Sequence, residues 1–170
     1  MAHYVTSVAT PLSVAESFAY MADVTHFAEW DPGVKRAVRV AGGAGVGNGN
    51  GNGNGNGNGN GNGNGNGVGN GVGAAYDLTV KAGGTTVMRY EVKEYEPPGR
   101  ILLIARTTFL TSVDEVRVVA AGQGSIVTYD ATLTLNGAGR LLDPLLRLAF
   151  RRIGDRAAAG LQRALKGKAA

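Results

Sequence analysis

Apolar and polar residues alternate along much of the chain, with the two-residue period that is typical of strands with one buried face. Short spacers rich in Gly, Pro, Ser or Thr interrupt this alternation, and such spacers join neighbouring antiparallel strands in a meander. The pattern predicts strands over residues 3–10, 35–40, 76–81, 85–95, 101–109, 113–119 and 125–135. In this interpretation Leu110-Thr111-Ser112 is the turn between the fifth and sixth strands.

Two short segments near the N-terminus follow a helical period instead. Ser13 and Glu16 have the spacing of a capping box, which predicts a helix that begins just after Ser13. Residues 24–30 predict a second helical piece, and Asp31-Pro32-Gly33 is a strong turn signal that ends it.

The end of the chain carries the clearest helical pattern. Asp143-Pro144 fits an N-cap followed by proline, and an apolar stripe that includes Phe150 continues to Leu165. The order is therefore one strand, two short helices, about six strands and a long helix. It predicts an α+β fold in which a curved antiparallel sheet wraps around the C-terminal helix.

Residues 47–67 form an uninterrupted Gly-Asn tract of 21 residues without an apolar side chain. Such a segment buries too little surface to offset the entropy of ordering it, so we predict a disordered loop. Only 46 residues precede it, which is too few for an independent core. We therefore predict one domain over residues 1–170, with the tract inserted between two sequential strands.

Composition and charge distribution limit the kinds of partner and the cellular location that we expect for the chain. The chain contains no Cys, and His3 and His26 are isolated, so we predict no disulfide and no metal site. No leader or membrane-spanning segment is evident, and we predict a cytoplasmic protein. The net charge of +4 is concentrated after Arg140, at helical spacing, which favours a solvated helix face over a nucleic-acid site. Peripheral membrane contact stays open, as does the choice between monomer and homodimer.

Five segments contain turn and helix-entry motifs: Thr10-Pro11-Leu12-Ser13-Val14-Ala15-Glu16-Ser17-Phe18, Met21-Ala22-Asp23, Trp30-Asp31-Pro32-Gly33-Val34, Tyr95-Glu96-Pro97-Pro98-Gly99-Arg100 and Arg140-Leu141-Leu142-Asp143-Pro144-Leu145. Together they resemble the START-like superfamily, also called SRPBCC or helix-grip, and within it the polyketide cyclase/dehydrase and lipid-transport group. The resemblance covers the chain outside the tract. It implies a helix-grip fold with a deep apolar cavity between sheet and helix. It carries over no catalytic motif and no cofactor, because such folds serve many functions.

Strand alternation then selects the side chains that line this cavity. Tyr90 and Tyr129 are the best polar candidates, because each presents a rigid apolar body and one hydroxyl; simple core packing is the alternative. Trp30 is either a contact at the cavity entrance or a packing anchor. Arg36 either meets an anionic group of the ligand or belongs to a frayed strand start. The remaining candidates share the inward face of a strand or helix: Tyr76, Met88, Phe109 and Phe150.

Charged residues near the predicted turn at residues 110–112 fall on two faces. Arg106, Glu115 and Arg117 share one face, where a surface ion pair between Arg106 and Glu115 is the simplest interpretation. Asp114 falls on the other face, as a carboxylate near the cavity mouth or as a solvated acid beside the turn.

Three functions compete at this point. The first is a protein that binds a small apolar or polycyclic ligand, such as a lipid, polyketide, quinone or sterol-like molecule. The second is a polyketide cyclase or dehydratase that uses Tyr90, Tyr129 or Asp114 for proton transfer. The third is an interaction module that works through the basic face of the C-terminal helix, for which we expect salt-sensitive binding.

Overall fold

The computed structural model describes residues 1–40, 70–81, 84–137 and 143–170, without the side chains of residues 143–149 and 151. The Gly-Asn tract, predicted to be a disordered loop, lies outside these residues. The elements in chain order are β1 (Ala2–Thr10), α1 (Val14–Ala22), a short 3-10 turn (Val24–His26), α2 (Phe27–Trp30), β2 (Val34–Val40), β3 (Ala75–Lys81), β4 (Thr85–Glu96), β5 (Arg100–Arg106), β6 (Leu110–Ala121), β7 (Gly124–Leu135), α3 (Asp143–Ala164) and β8 (Lys168–Ala169).

The strands form one open, curved antiparallel sheet in the order β2-β3-β4-β5-β6-β7-β1-β8. The six strands from β2 to β7 are a meander, and β1 pairs along its whole length with β7, with Val8 opposite Val127. The buried side chains of the sheet face α1, α2 and α3, and these elements share one hydrophobic core. The predicted α+β helix-grip fold is confirmed.

Local sequence signals account for the positions of the helices. The Ser13 hydroxyl accepts a hydrogen bond from the Glu16 N–H, and the Glu16 carboxylate accepts one from the Ser13 N–H at 2.9 Å, so the predicted capping box is present. The long helix α3 approaches α2 closely at Gly160, where a Cβ atom would overlap with the Trp30 carbonyl oxygen. Thr10 fixes the end of α3, because its hydroxyl donates to the Leu165 carbonyl at 2.6 Å.

The hairpin between β5 and β6 lies earlier in the chain than the sequence pattern predicts. The Thr107 hydroxyl accepts the N–H groups of Phe109 and Leu110, and the Thr107 N–H donates to the Leu110 carbonyl. These bonds close a short loop over residues 107–109 and leave Leu110 as the first residue of β6. Phe109 is therefore at the tip of the hairpin, with 77% of its surface exposed, and its predicted place in the cavity is wrong.

The earlier hairpin also changes the predicted ion pair. Arg106 lies opposite Thr111, and Glu115 lies opposite Leu102. Glu115 pairs with Arg100 and Arg117 on the outer face of the sheet, so the expected surface ion pair forms with different arginines.

Strand β2 contains a second irregularity. Its pairing with β3 shifts between Val34 and Arg36, so the alternation of faces changes within the strand. Lys35 and Arg36 are both exposed, whereas Ala37 packs against the core. Arg36 therefore does not face the cavity, and of its two interpretations the contact with an anionic ligand group is wrong. Strand β8 was not predicted, because two residues are too few to show an alternating pattern.

Candidate functional site

A cavity of about 110 Å³ lies between the inner face of the sheet, the loop after α2 and helix α3. Most of its lining is apolar, and the polar atoms are concentrated on the strands β4, β6 and β7. The lining residues are Phe27, Asp31, Gly33, Val34, Leu78, Val80, Lys81, Met88, Tyr90, Leu110, Ser112, Asp114, Tyr129, Ala131, Leu133, Phe150 and Ile153. An apolar pocket with a few converging polar groups is the usual form of a ligand site.

The polar groups meet around the carboxylate of Asp114. The Ser112 hydroxyl donates to one carboxylate oxygen at 3.0 Å, and the Tyr129 hydroxyl donates to the other at 3.1 Å. The Tyr90 hydroxyl interacts with both Ser112 and Asp114. We call these four residues the Asp114 cluster. All four side chains are buried.

The register of the sheet brings the cluster together. Ser112 and Asp114 are two residues apart on β6, so both point to the inner face. Ala105 on β5 pairs with Tyr90 on one side and with Ser112 on the other. Because alanine has no side chain beyond Cβ, the Tyr90 ring reaches across β5 to the Ser112 hydroxyl.

The environment keeps the Asp114 carboxyl close to half-protonated at neutral pH. Burial raises its pKa to about 7, and hydrogen bonds from Ser112 and Tyr129 offset only part of this effect. Burial also raises the pKa values of Tyr90 and Tyr129 well above 10, and the negative charge of Asp114 adds to the increase. Both phenols therefore stay protonated and act as hydrogen-bond donors. A buried carboxyl that can gain or lose a proton at neutral pH is suited to general acid–base chemistry.

Asp31 is a second acidic residue in the cavity lining, and the sequence pattern did not predict it there. One carboxylate oxygen accepts the Gly33 N–H at 2.7 Å, which closes the turn after α2. Burial raises the pKa of Asp31, and its negative charge in turn raises the pKa of Asp114. The Asp31-Pro32-Gly33 sequence predicted a turn. Because the turn alone accounts for an aspartate at this position, the sequence did not indicate that Asp31 also lies at the cavity wall.

Trp30 packs behind the cluster and does not line the cavity. Its ring contacts the Tyr129 ring edge-on, with centroids 5.1 Å apart, and it also packs against Phe27. Of the two predicted roles, the packing anchor is the one that this position fits. The indole Nε1 is the only buried side-chain N or O atom in the described part of the chain that has no hydrogen-bond partner.

The other predicted residues divide between the cavity and the core. Met88, Tyr90, Asp114, Tyr129 and Phe150 all line the cavity, and Asp114 is buried, so it is not a solvated acid beside a turn. Tyr76 is fully buried but does not line the cavity, and its hydroxyl donates to the Asn70 side chain at 2.8 Å.

The described residues were also searched for a metal site, a second pocket and a membrane-spanning helix. No group of three His, Cys, Asp or Glu side chains among them is arranged to hold a metal ion. A larger depression of about 260 Å³ lies on the outer face of β4 and β5, where Arg89 pairs with Asp77 and Lys93 pairs with Glu91. This is a solvated, charge-paired sheet face. None of the helices that the structure describes combines the length and apolar character needed to cross a membrane.

The fold resembles several solved structures at low sequence identity. Zhui aromatase/cyclase from Streptomyces sp. R1128 matches with a TM-score of 0.66 and 13% identity, over 96% of this chain and 93% of that chain. A START superfamily protein from Mycobacterium smegmatis matches with a TM-score of 0.66 and 12% identity, over 96% and 97% of the two chains. At this identity the likeness shows the fold alone.

One of the matching solved structures belongs to a larger protein, of which this fold is only a part. The di-domain aromatase/cyclase StfQ from the steffimycin biosynthetic pathway matches with a TM-score of 0.61 and 13% identity. The match covers 95% of this chain but only 48% of StfQ, so the chain spans about half of that protein's length.

The sequence itself places the chain in a family. No curated protein matches it. The family model described as polyketide cyclase/dehydrase and lipid transport matches residues 1–166, which is nearly the whole chain. The chain therefore belongs to the polyketide cyclase/dehydrase and lipid transport family.

Proposed function

We propose that the protein binds a small, largely apolar ligand in the cavity between the sheet and α3. The ligand class is a lipid, polyketide, quinone or sterol-like molecule. The observation that carries this proposal is the apolar cavity with the buried Asp114 cluster in its wall. The apolar lining supplies affinity, and the cluster supplies polar groups that orient the ligand.

The size of the cavity limits what fits without movement. A volume of about 110 Å³ is close to the ~150 Å³ of an engineered cavity that binds benzene, and well below the ~300–1,000 Å³ of pockets for drug-sized ligands. The cavity as described therefore takes about one ring. A polycyclic ligand requires displacement of side chains such as Phe150 and Ile153, which close the cavity from α3.

Two measurements test ligand binding. Native mass spectrometry of protein purified from its own host is expected to show a co-purifying apolar molecule. Toluene, followed by protein-observed NMR, is expected to shift the resonances of residues that line the cavity. Ala131→Leu fills the space next to Asp114 and should abolish these shifts, whereas Ala120→Leu, on an exposed position of β6, should leave them unchanged. Equal toluene binding by both variants would place the ligand elsewhere.

A proton-transfer enzyme of the cyclase or dehydratase type is the second candidate, and the pKa of Asp114 near 7 favours it specifically. An ionised Asp114 can remove a proton from a carbon next to a carbonyl group, while the electron pair moves to the carbonyl oxygen. Once Asp114 has taken up this proton it no longer holds the tyrosine hydroxyl groups as strongly, and Tyr90 or Tyr129 can turn to donate a hydrogen bond to the enolate oxygen.

Deuterium exchange into cyclohexanone in D₂O, followed by NMR, tests this chemistry without knowledge of the natural substrate. We expect the protein to accelerate exchange increasingly as pH rises through about 7, and Asp114→Asn to remove the acceleration. Tyr129→Phe should slow exchange, whereas Tyr20→Phe should not, although Tyr20 also donates to a carboxylate, that of Glu29. Full exchange activity in Asp114→Asn would remove Asp114 from the mechanism.

The interaction-module alternative depends on charges along α3. Arg152, Arg156 and Arg163 are exposed on this helix, and a role in binding an anionic surface predicts loss of binding as salt is added. The cytoplasmic location and the monomeric or homodimeric state stay predictions.

A further inference from the structure

The described cavity lining is richer in free acceptors than in free donors. The hydroxyl protons of Ser112 and Tyr129 are committed to Asp114, and the Tyr90 hydroxyl interacts with the same group. Two acidic residues, Asp31 and Asp114, line the cavity, whereas the only cationic residue among the described lining residues is the exposed Lys81. A ligand that brings a donor therefore finds a partner more readily than one that brings an acceptor.

Asp31 has one carboxylate oxygen that is free to accept a further hydrogen bond. One of its oxygens holds the Gly33 N–H, and the other has no hydrogen-bond partner among the residues that the structure describes. The carboxylate lies near helix α3 at the cavity wall, because a Cβ atom added at Gly33 would lie 3.0 Å from Asp31 Oδ1 and 3.5 Å from the Ile153 side chain. Asp114, in contrast, already accepts two hydroxyl protons.

We propose that the cavity selects rings that carry a hydrogen-bond donor, phenols and enols foremost, over rings that carry a carboxylate, and that Asp31 determines this specificity. The proposal rests on the ligand-binding function proposed above and names its substrate class. A phenolic hydroxyl donates to the free oxygen of Asp31, and the ring occupies the apolar remainder of the cavity. A ring without a donor leaves that oxygen unpaired, and a carboxylate adds a third negative charge to the same small space.

The expected discrimination follows from the strength of hydrogen bonds to charged groups. Such bonds contribute about 1.5–3 kcal/mol, which corresponds to a factor of roughly 10 to 100 in affinity. Asp31 is partly exposed, so we expect the lower end of this range for phenol over toluene. Benzoate should bind at least about tenfold more weakly than toluene, because its charge meets two carboxylates in a partly desolvated site.

The experiment compares phenol, toluene and benzoate with the full chain at pH 8, where phenol is neutral and benzoate is charged. Dissociation constants come from protein-observed NMR titrations. The supporting result is the order phenol, toluene, benzoate, from tightest to weakest. Toluene binding without preference among the three overturns the specificity and leaves the binding function intact. Failure of all three to bind contradicts the binding function itself. Tighter binding of benzoate than of phenol overturns the specificity outright.

Variants assign the preference to one residue. Asp31→Asn retains an acceptor for the Gly33 N–H but removes the charge, so the ratio of benzoate to phenol dissociation constants should fall about tenfold. Asp31→Ser gives a second test, since its hydroxyl can also accept from Gly33. Asp77→Asn is the matched control, because Asp77 lies on the outer face of the sheet in an ion pair with Arg89. A ratio that is unchanged in both Asp31 variants would overturn the assignment to Asp31.

Discussion

Replacing Asp114 with asparagine should change how the stability of the protein depends on pH. In the folded protein burial raises the pKa of Asp114 from an ordinary 3.8 to about 7. Between these two values the native state holds a proton that the unfolded state has released. Because stability falls with pH wherever the native state binds more protons, the wild-type protein should lose stability as pH rises from about 4 to about 7 and then level off.

The size of this effect follows from the same two pKa values. A difference of about three pH units corresponds to about 4 kcal/mol, since each unit contributes ~1.4 kcal/mol. Roughly 3 kcal/mol of this total falls between pH 5 and pH 8 by the same linkage relation. Asparagine does not titrate, so the variant lacks this contribution. It loses some hydrogen-bond energy in the cluster, about 1 kcal/mol, but that loss is nearly the same at every pH.

Urea unfolding at pH 5, 6, 7 and 8, followed by the emission of Trp30, measures the difference directly. Trp30 is the only tryptophan in the chain, and it packs against Tyr129 of the cluster. Subtracting the variant from the wild type at each pH removes the contributions of other titrating groups. The wild type should lose roughly 3 kcal/mol relative to Asp114→Asn across this range.

A control variant separates the effect of the buried Asp114 carboxylate on the pH dependence of stability from the effect of removing any carboxylate. Asp77→Asn also removes a carboxylate, but a hydrogen bond from Arg89 lowers the pKa of Asp77, so this group titrates below the range studied. Its difference from the wild type should stay constant from pH 5 to pH 8. Parallel curves for the wild type and Asp114→Asn would refute the reasoning, because they would show that water reaches Asp114 and keeps its pKa near 4.

Three further predictions concern the fold. Gly160→Ala should destabilise the protein by about 1–3 kcal/mol in thermal or urea unfolding, although alanine favours helices, because its Cβ would overlap with the Trp30 carbonyl oxygen; a neutral or stabilising result would contradict this packing. Ser13→Ala should cost about 1 kcal/mol through loss of the capping box, and an unchanged urea midpoint would argue against it. Replacing residues 47–67 with a short turn should leave stability and toluene binding nearly unchanged, because loop-closure entropy depends only weakly on length; a lost toluene signal would assign the tract a role.

The sequence pattern predicted the sheet, the long helix and the face of the strand on which Asp114 lies, because alternation of apolar residues fixes the face of a long strand. It failed where a strand contains a bulge or ends early. The bulge in β2 turned Arg36 outward, and the early hairpin moved Phe109 to an exposed tip. A shift of one residue exchanges the two faces of a strand, and neither the bulge nor the Thr107 hydrogen bonds leave a clear mark in the pattern. Asp31 was missed because its turn role explained it fully.

The predicted effect of Asp114→Asn bears on function as well as stability. At pH 8 an ionised Asp114 opposes folding by up to about 4 kcal/mol, an amount comparable to much of the stability of a small domain. Val116, the next inward residue on β6, is buried at no such cost, so the strand itself does not require a carboxylate at position 114. Three hydroxyl groups nevertheless converge on Asp114 from three strands. Destabilising polar groups of this kind occur chiefly at functional sites, where the group serves a ligand or a reaction. A stabilised Asp114→Asn variant that no longer exchanges cyclohexanone protons would show that Asp114 serves a reaction at the expense of stability.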